Sequence, residues 1–349
     1  MIDSYVSRFF TFSGAGNDFV VLDGRQGGME PFREPARIGA LCREYHTDGL
    51  MILTSAPTPA QSGEGSVRAC HAERSPKGEV EASPYDFVME FYNPDGSGGM
   101  MCGNGGRCIV AFANYLGINP ADGRTYHFLA PDGEHTAEIL SAEIPGHAGN
   151  DRGSGHDGCA QAEQDKGVMA DSDRPSLPTW IVRLKMIDVQ GVTSMKDGYF
   201  LNTGTRHFVK FTPGVDGIDM ETEAKPLRWD AAFQPEGTNV NFVEVRADGL
   251  HVRTFEKGVE GETLACGTGL TACALAAYKA RVAIPRGEVS TPAAEGGTCH
   301  DGSGAAVSYR LQCRRGDWLQ VDFQPAAEDR FTDVYLTGPA ELVTVNHLK

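Results

Sequence analysis

Met101-Cys102-Gly103-Asn104-Gly105 leads into RCIVAFANYL at 107–116, and Ala265-Cys266-Gly267-Thr268-Gly269 leads into LTACALAAYKARV at 270–282. Each apolar run meets a helix stop signal, Gly117 after the first and Pro285 beyond the second. Both runs are apolar nearly all round over their first turns. A helix of that kind is buried on every side rather than laid on a surface, and a sheet wrapped around each would bury it. One Cys-Gly-x-Gly motif is weak evidence of anything. Two copies, each at the mouth of an unusually apolar helix, read as two related halves facing each other.

The remaining chain supplies the strands for such sheets. Residues 9–12 and 19–22 are β-formers around the turn Gly14-Ala15-Gly16-Asn17-Asp18, and apolar or alternating runs recur at 50–53, 87–92, 180–184, 208–211, 319–323 and 334–336. A hairpin spans 240–255, with Ala247-Asp248-Gly249 as its turn. Ile38, Leu41, Cys42 and Tyr45 form one stripe of a short helix that starts near Pro35. The segments 56–83, 143–178 and 293–305 turn to Gly, Ser, Asp, Glu and Ala with little periodicity, and are expected to be insertions into a smaller core. The expected architecture is α/β (α+β). Two pseudo-symmetric domains, 1–128 with 341–349 and 129–340, each form a curved, mostly antiparallel sheet around a central buried helix.

With 349 residues, 40% of them apolar and 22% charged, the chain has room for two ordinary cores. No run approaches the roughly 18 apolar residues of a membrane span, and the first ten residues carry no secretory pattern, so a cytoplasmic location is expected. Nine cysteines, an odd number, argue against a disulfide framework. A net charge of -16 gives no footprint for nucleic acid. The expected partner is a small-molecule amino acid, with a homodimer left open, and neither nucleic acid nor membrane is expected.

The repeated motif carries the chemistry. The first turn of a helix leaves N–H groups unpaired and carries positive potential, so it holds a carboxylate and lowers the pKa of a cysteine placed there. Gly103 and Gly267 allow close approach of a ligand, and Asn104 and Thr268 are residue types that cap helices well. Inverting an amino-acid α-carbon needs a base on one face and an acid on the other, and a thiolate facing a thiol supplies both. A single buried cysteine is more often a packing residue, which is the reading given to Cys42, Cys108 and Cys273. The spacings of Cys102 to Cys108 and Cys266 to Cys273 do not match zinc hooks, and Cys108 stands where a dinucleotide loop would need glycine, so neither metal nor cofactor is expected.

The pattern resembles the diaminopimelate epimerase family. Gly14-Ala15-Gly16-Asn17-Asp18-Phe19 is similar to its opening motif. Asn93-Pro94-Asp95-Gly96-Ser97 with Cys102-Gly103-Asn104-Gly105-Gly106-Arg107-Cys108 is similar to its first active-site motif, and Glu256-Lys257-Gly258 with Gly261-Glu262-Thr263-Leu264-Ala265-Cys266-Gly267-Thr268-Gly269 to its second. Thr337-Gly338-Pro339-Ala340 is similar to its closing strand. The resemblance implies cofactor-independent interconversion of LL- and meso-diaminopimelate, on the way to lysine and cell-wall precursors. It implies Cys102 and Cys266 as the acid–base pair and His207 and Glu256 as the polar groups that tune them. Asn17, Asn93, Gly103, Asn104, Thr205, Asn239, Glu256, Lys257, Gly267 and Thr268 are implied as substrate-binding. Thr205-Arg206 stands where the family commonly has asparagine or serine and then proline, and Lys257 where it has arginine. These departures leave room for a related racemase or epimerase of another amino acid, such as the proline type. A binding module that lost turnover has no need of two opposed thiols, and a thiol redox protein would carry Cys-x-x-Cys, which is absent.

Overall fold

The computed structural model describes residues 8–57, 83–98, 102–144, 177–282 and 306–347. The expected insertions at 56–83, 143–178 and 293–305 lie, apart from their edges, outside the described residues. The first half runs β1 (Arg8–Ser13), β2 (Asp18–Asp23), α1 (Pro35–Tyr45), β3 (Gly49–Thr54), β4 (Phe87–Tyr92), α2 (Gly103–Tyr115), β5 (Thr125–Ala130), β6 (Gly133–Glu143) and β7 (Thr179–Lys185). The short β8 (Thr193–Met195) follows. The second half runs β9 (Gly198–Asn202), β10 (Arg206–Phe211), α3 (Met220–Arg228), β11 (Asn239–Arg246), β12 (Gly249–Glu256), β13 (Gly261–Thr263), α4 (Gly267–Lys279), β14 (Val307–Gln312), β15 (Trp318–Pro325) and β16 (Phe331–His347).

The two halves pair alike. In the first, β1–β2 is antiparallel, β2–β3 parallel across α1, β3–β4 antiparallel, β4–β5 parallel across α2 and β5–β6 antiparallel. The second repeats that order with β9–β10, β10–β11 across α3, β11–β12, β12–β14 across α4 and β14–β15. Long β16 joins them: its start pairs with β15, its middle with β7 and its end with β1. The pairing with both β1 and β7 closes the first sheet into a ring around α2, while the second sheet curves round α4. Every α2 residue from Gly103 to Ala113 is buried, and α4 is buried from Gly269 to Ala277. The mixed α/β fold with enclosed helices is thus the one the apolar runs demand. The sheet passes through the expected division at 128/129 without a break, because that point lies inside β5. Among the described residues no helix is long and apolar enough to cross a membrane.

Candidate active site

Both helices begin earlier than the apolar runs suggest, at Gly103 and Gly267, and the residue that caps each is the cysteine itself. Asn104 and Thr268 are therefore not caps; they sit inside the first turn, with their backbone N–H groups among the unpaired donors there. Cys102 takes an extended conformation (φ -92°, ψ 148°) and its Sγ accepts the Gly105 N–H at 3.1 Å, so a thiol does the work a serine or aspartate usually does. Cys266 makes no such bond, and its Sγ lies 3.4 Å from the Thr268 hydroxyl.

The two helix starts touch. A Cβ placed on Gly103 would stand 3.6 Å from the Gly267 Cα, and one on Gly267 would stand 3.3 Å from the Gly103 Cα. Above this seam opens a cleft of about 1580 Å³, lined by Cys102, Cys266, Asn17, Asn93, Gly103, Asn104, Thr205, Asn239, Glu256, Lys257, Gly267 and Thr268. Of the residues singled out from sequence, His207 alone does not line it. It lies fully buried beneath, and reaches Cys266 through Thr268, whose Oγ1 is 3.1 Å from His207 Nε2.

Burial dominates the electrostatics. It pushes the Cys102 thiol up to about 11, against the helix N–H donors and the Arg107 charge, and the carboxylate of Glu256 adds to the rise. Burial and Glu256 also push Cys266 up. The lowering expected at a helix start is present at Cys102, through the Gly105 N–H, but burial outweighs it and both thiols are raised. Burial with Asp48 nearby raises the Glu256 carboxyl in turn. Burial takes His207 down to about 3, so its ring is neutral. Asn241 Nδ2 donates to its Nδ1 at 3.0 Å, which places the ring proton on Nε2, toward Thr205 and Thr268.

Asn239 ties the rim together. Its Oδ1 accepts the Lys257 N–H at 2.7 Å and its Nδ2 donates to the Arg206 carbonyl at 3.0 Å. The Lys257 side chain is exposed and has no ion-pair partner among the described residues. Arg206, by contrast, pairs with Glu236 and stacks on Phe200. Asn93 holds a tight turn, its Nδ2 donating to Ser97 Oγ at 3.0 Å. Two residues escaped the sequence reading. Asn241 shares a face of β11 with Asn239, and the period of two could have found it. Arg107 stands inside an apolar helix, where its burial is the signal. Among the described residues no group of three His, Cys, Asp or Glu side chains is arranged to hold a metal ion.

A family model described as diaminopimelate epimerase matches residues 199–300. A protein named diaminopimelate epimerase from Aquifex aeolicus is 34% identical over 282 residues, which is 78% of this chain and 81% of that protein. The chain belongs to the diaminopimelate epimerase family. A second protein of that name, from Chlorobaculum tepidum, is 31% identical over 95% of this chain and 97% of its own length. Among solved structures, a phenazine biosynthesis protein of the PhzF family from Bacillus anthracis superposes with a TM-score of 0.58 at 9% identity, covering 99% of this chain and 100% of that one. At that identity the likeness is one of fold, and the family's two-sheet frame is what it shares.

Proposed function

We propose that this chain is an isomerase that interconverts LL- and meso-diaminopimelate by passing a proton between Cys102 and Cys266, with no cofactor, as a cytoplasmic step toward lysine and cell-wall precursors. The observation that carries the reading is the seam: two cysteine-capped helices meet end to end at Gly103 and Gly267, and both cysteines line the one cleft above.

In this reading the substrate's α-carboxylate lies on the N–H groups of Gly103, Asn104, Gly267 and Thr268, between the thiols. One sulfur, as thiolate, removes the α-proton. The electron pair left on the carbon spreads into the carboxylate, where two helix N-termini stabilise it, and the opposite thiol delivers its own proton to the other face. The protein is left with the two roles exchanged. Burial raises both thiols, so the substrate's ammonium is the cation that favours the thiolate once bound, and the proton that this sulfur gives up passes to solvent as the substrate enters. Glu256 faces that ammonium and supports it. His207 positions Cys266 through Thr268. Asn17, Asn93, Thr205 and Asn239 bind the rest of the substrate, and Lys257 holds the second carboxylate.

The test is to incubate chelator-treated protein with LL-diaminopimelate in heavy water and follow α-deuterium by NMR. Wild type is expected to exchange the α-hydrogen and form the meso isomer, and Cys102→Ala and Cys266→Ala to lose that interconversion. Interconversion that survives either substitution, or that depends on added pyridoxal phosphate or metal, sinks the mechanism.

A further inference from the structure

Arg107 is 0% exposed, and no carboxylate pairs with it among the described residues. A buried cation without a counter-ion is costly and persists only when its donors are met. Here Nε donates to the Pro339 carbonyl at 3.3 Å, Nη1 to Gly103 O at 3.2 Å, and Nη2 to Gly14 O at 3.2 Å and Asn104 Oδ1 at 3.0 Å. One guanidinium thus ties the opening turn, the first turn of α2 and the closing strand together.

The bond to Asn104 has a directional consequence. A side-chain amide presents an acceptor at one end and donors at the other, with nearly the same shape either way round. Arg107 can only donate, so it fixes the oxygen of Asn104 inward and its Nδ2 outward. That Nδ2 donates to Asn17 Oδ1, which fixes the second amide the same way. Asn17 lines the cleft, and its own Nδ2 makes no hydrogen bond among the described residues. Reversing the first amide would reverse the second and turn an oxygen toward any bound anion.

We propose that Arg107 is a positioning residue whose guanidinium, through Asn104, sets Asn17 so that an N–H donor faces the cleft and meets a carboxylate of the substrate. The inference rests on the reading of the cleft as an amino-acid epimerase site. The burial of Asn104, 2% exposed, keeps water from competing for the relay. Its oxygen also lies 3.6 Å from where a Gly267 Cβ would stand, so the relay runs along the seam between the two helix starts.

The test is a double-mutant cycle. Arg107→Lys keeps a charge and loses the planar fork, and is expected to raise the KM for LL-diaminopimelate about tenfold while kcat changes less than about threefold. In an Asn17→Ala background the same substitution is expected to change KM less than about twofold, because the relay's end is already gone. An equal rise in both backgrounds overturns the proposal and leaves Arg107 a packing residue. Should Arg107→Lys fail to fold, Arg107→Gln, which can still donate from its amide but carries no charge or fork, takes its place in the same cycle and is read by the KM difference between the two backgrounds. A readout independent of the substrate is the ratio of Cys102 alkylation by iodoacetate to that by iodoacetamide, which is expected to fall about tenfold in Arg107→Lys and not to fall further in the Asn17→Ala background. A wild type that fails to exchange deuterium defeats the functional reading, while this ratio still decides the relay: an unchanged ratio in Arg107→Lys overturns it.

Discussion

Gly267 stands against Gly103 so closely that a Cβ on it would lie 3.3 Å from the Gly103 Cα and 3.0 Å from Leu336 Cδ2. Leu336 belongs to β16, the strand the two sheets share, and its methyl can give only by turning within a buried core, while the Gly103 Cα is backbone and yields only if the helix start moves. The two cysteines cap the helices that meet at this contact.

Gly267→Ala is therefore expected to open the seam. Overpacking of this kind costs about 1–3 kcal/mol of stability, and a shift of the reacting groups by a few tenths of an ångström to one ångström lowers kcat/KM about tenfold to a hundredfold. Gly261→Ala, where an added Cβ meets nothing within 4 Å, is the control and is expected to leave both within about 0.5 kcal/mol of wild type. Thermal melts and steady-state rates on the two variants check this. Equal activity in both would mean the seam does not set the geometry.

The two cysteines should be told apart by their reactivity. Cys102 is the more exposed and its sulfur accepts the Gly105 N–H at 3.1 Å, while Cys266 is buried, with the Thr268 hydroxyl 3.4 Å from its sulfur. Both are raised, Cys102 to about 11, so the thiolate fraction of each grows about tenfold per pH unit between pH 7 and 9. Iodoacetamide is expected to modify Cys102 at least about tenfold faster than Cys266 at pH 8. Peptide mass spectrometry over a pH series reads both rates; a plateau below pH 9, or Cys266 reacting first, contradicts the assignment.

The parts of this molecule legible in the sequence are those whose cause is local. Apolar runs behind Gly103 and Gly267 announced buried helices, and strands such as Phe87–Tyr92 carried their own pattern. α3 was invisible because it is nine residues long with Pro226 inside it. β6 was missed because it is mostly half-buried or exposed and so shows little alternation. The cysteine caps were misread as Asn104 and Thr268, since thiols rarely cap helices and only the backbone dihedrals reveal the shift. The link from His207 to Cys266 crosses from β10 to α4 through one hydroxyl, and the fixing of its tautomer crosses to Asn241, so neither lies in any local motif.

His207 should make the protein acid-sensitive in a defined window. Its folded pKa, near 3, lies below the ordinary value of 6.5, so the unfolded chain takes up a proton that the folded one refuses. Stability from this group is whole above about pH 6.5 and falls by about 1.4 kcal/mol for each pH unit below it, until the folded pKa is reached. Carboxylates held low by partners, such as Glu90 and Glu244, act only below their ordinary value of 4.5, and Glu256, held high, acts with the opposite sign in both proteins, so the difference between wild type and a His207 variant isolates the histidine. Urea unfolding at pH 6.5 and 5 is expected to show a loss of about 2 kcal/mol in wild type and a much smaller one in His207→Gln. The same slope in both would place the acid sensitivity elsewhere.

Lys257 offers the last prediction. Its backbone N–H is clamped by Asn239, its side chain is exposed to the cleft, and it has no ion-pair partner among the described residues, so the ammonium is available to a ligand. A lysine meets a carboxylate as a point charge, whereas arginine presents two parallel donors. Because the turn after β12 is held through the Lys257 backbone N–H and not by its side chain, exchanging the head group leaves the frame in place. Lys257→Arg is expected to lower the KM for LL-diaminopimelate about threefold to tenfold with kcat little changed, and Lys257→Met to raise it by at least about tenfold. If both substitutions leave KM within about twofold of wild type, the second carboxylate binds elsewhere, and Arg206, released from Glu236, becomes the cation to vary next.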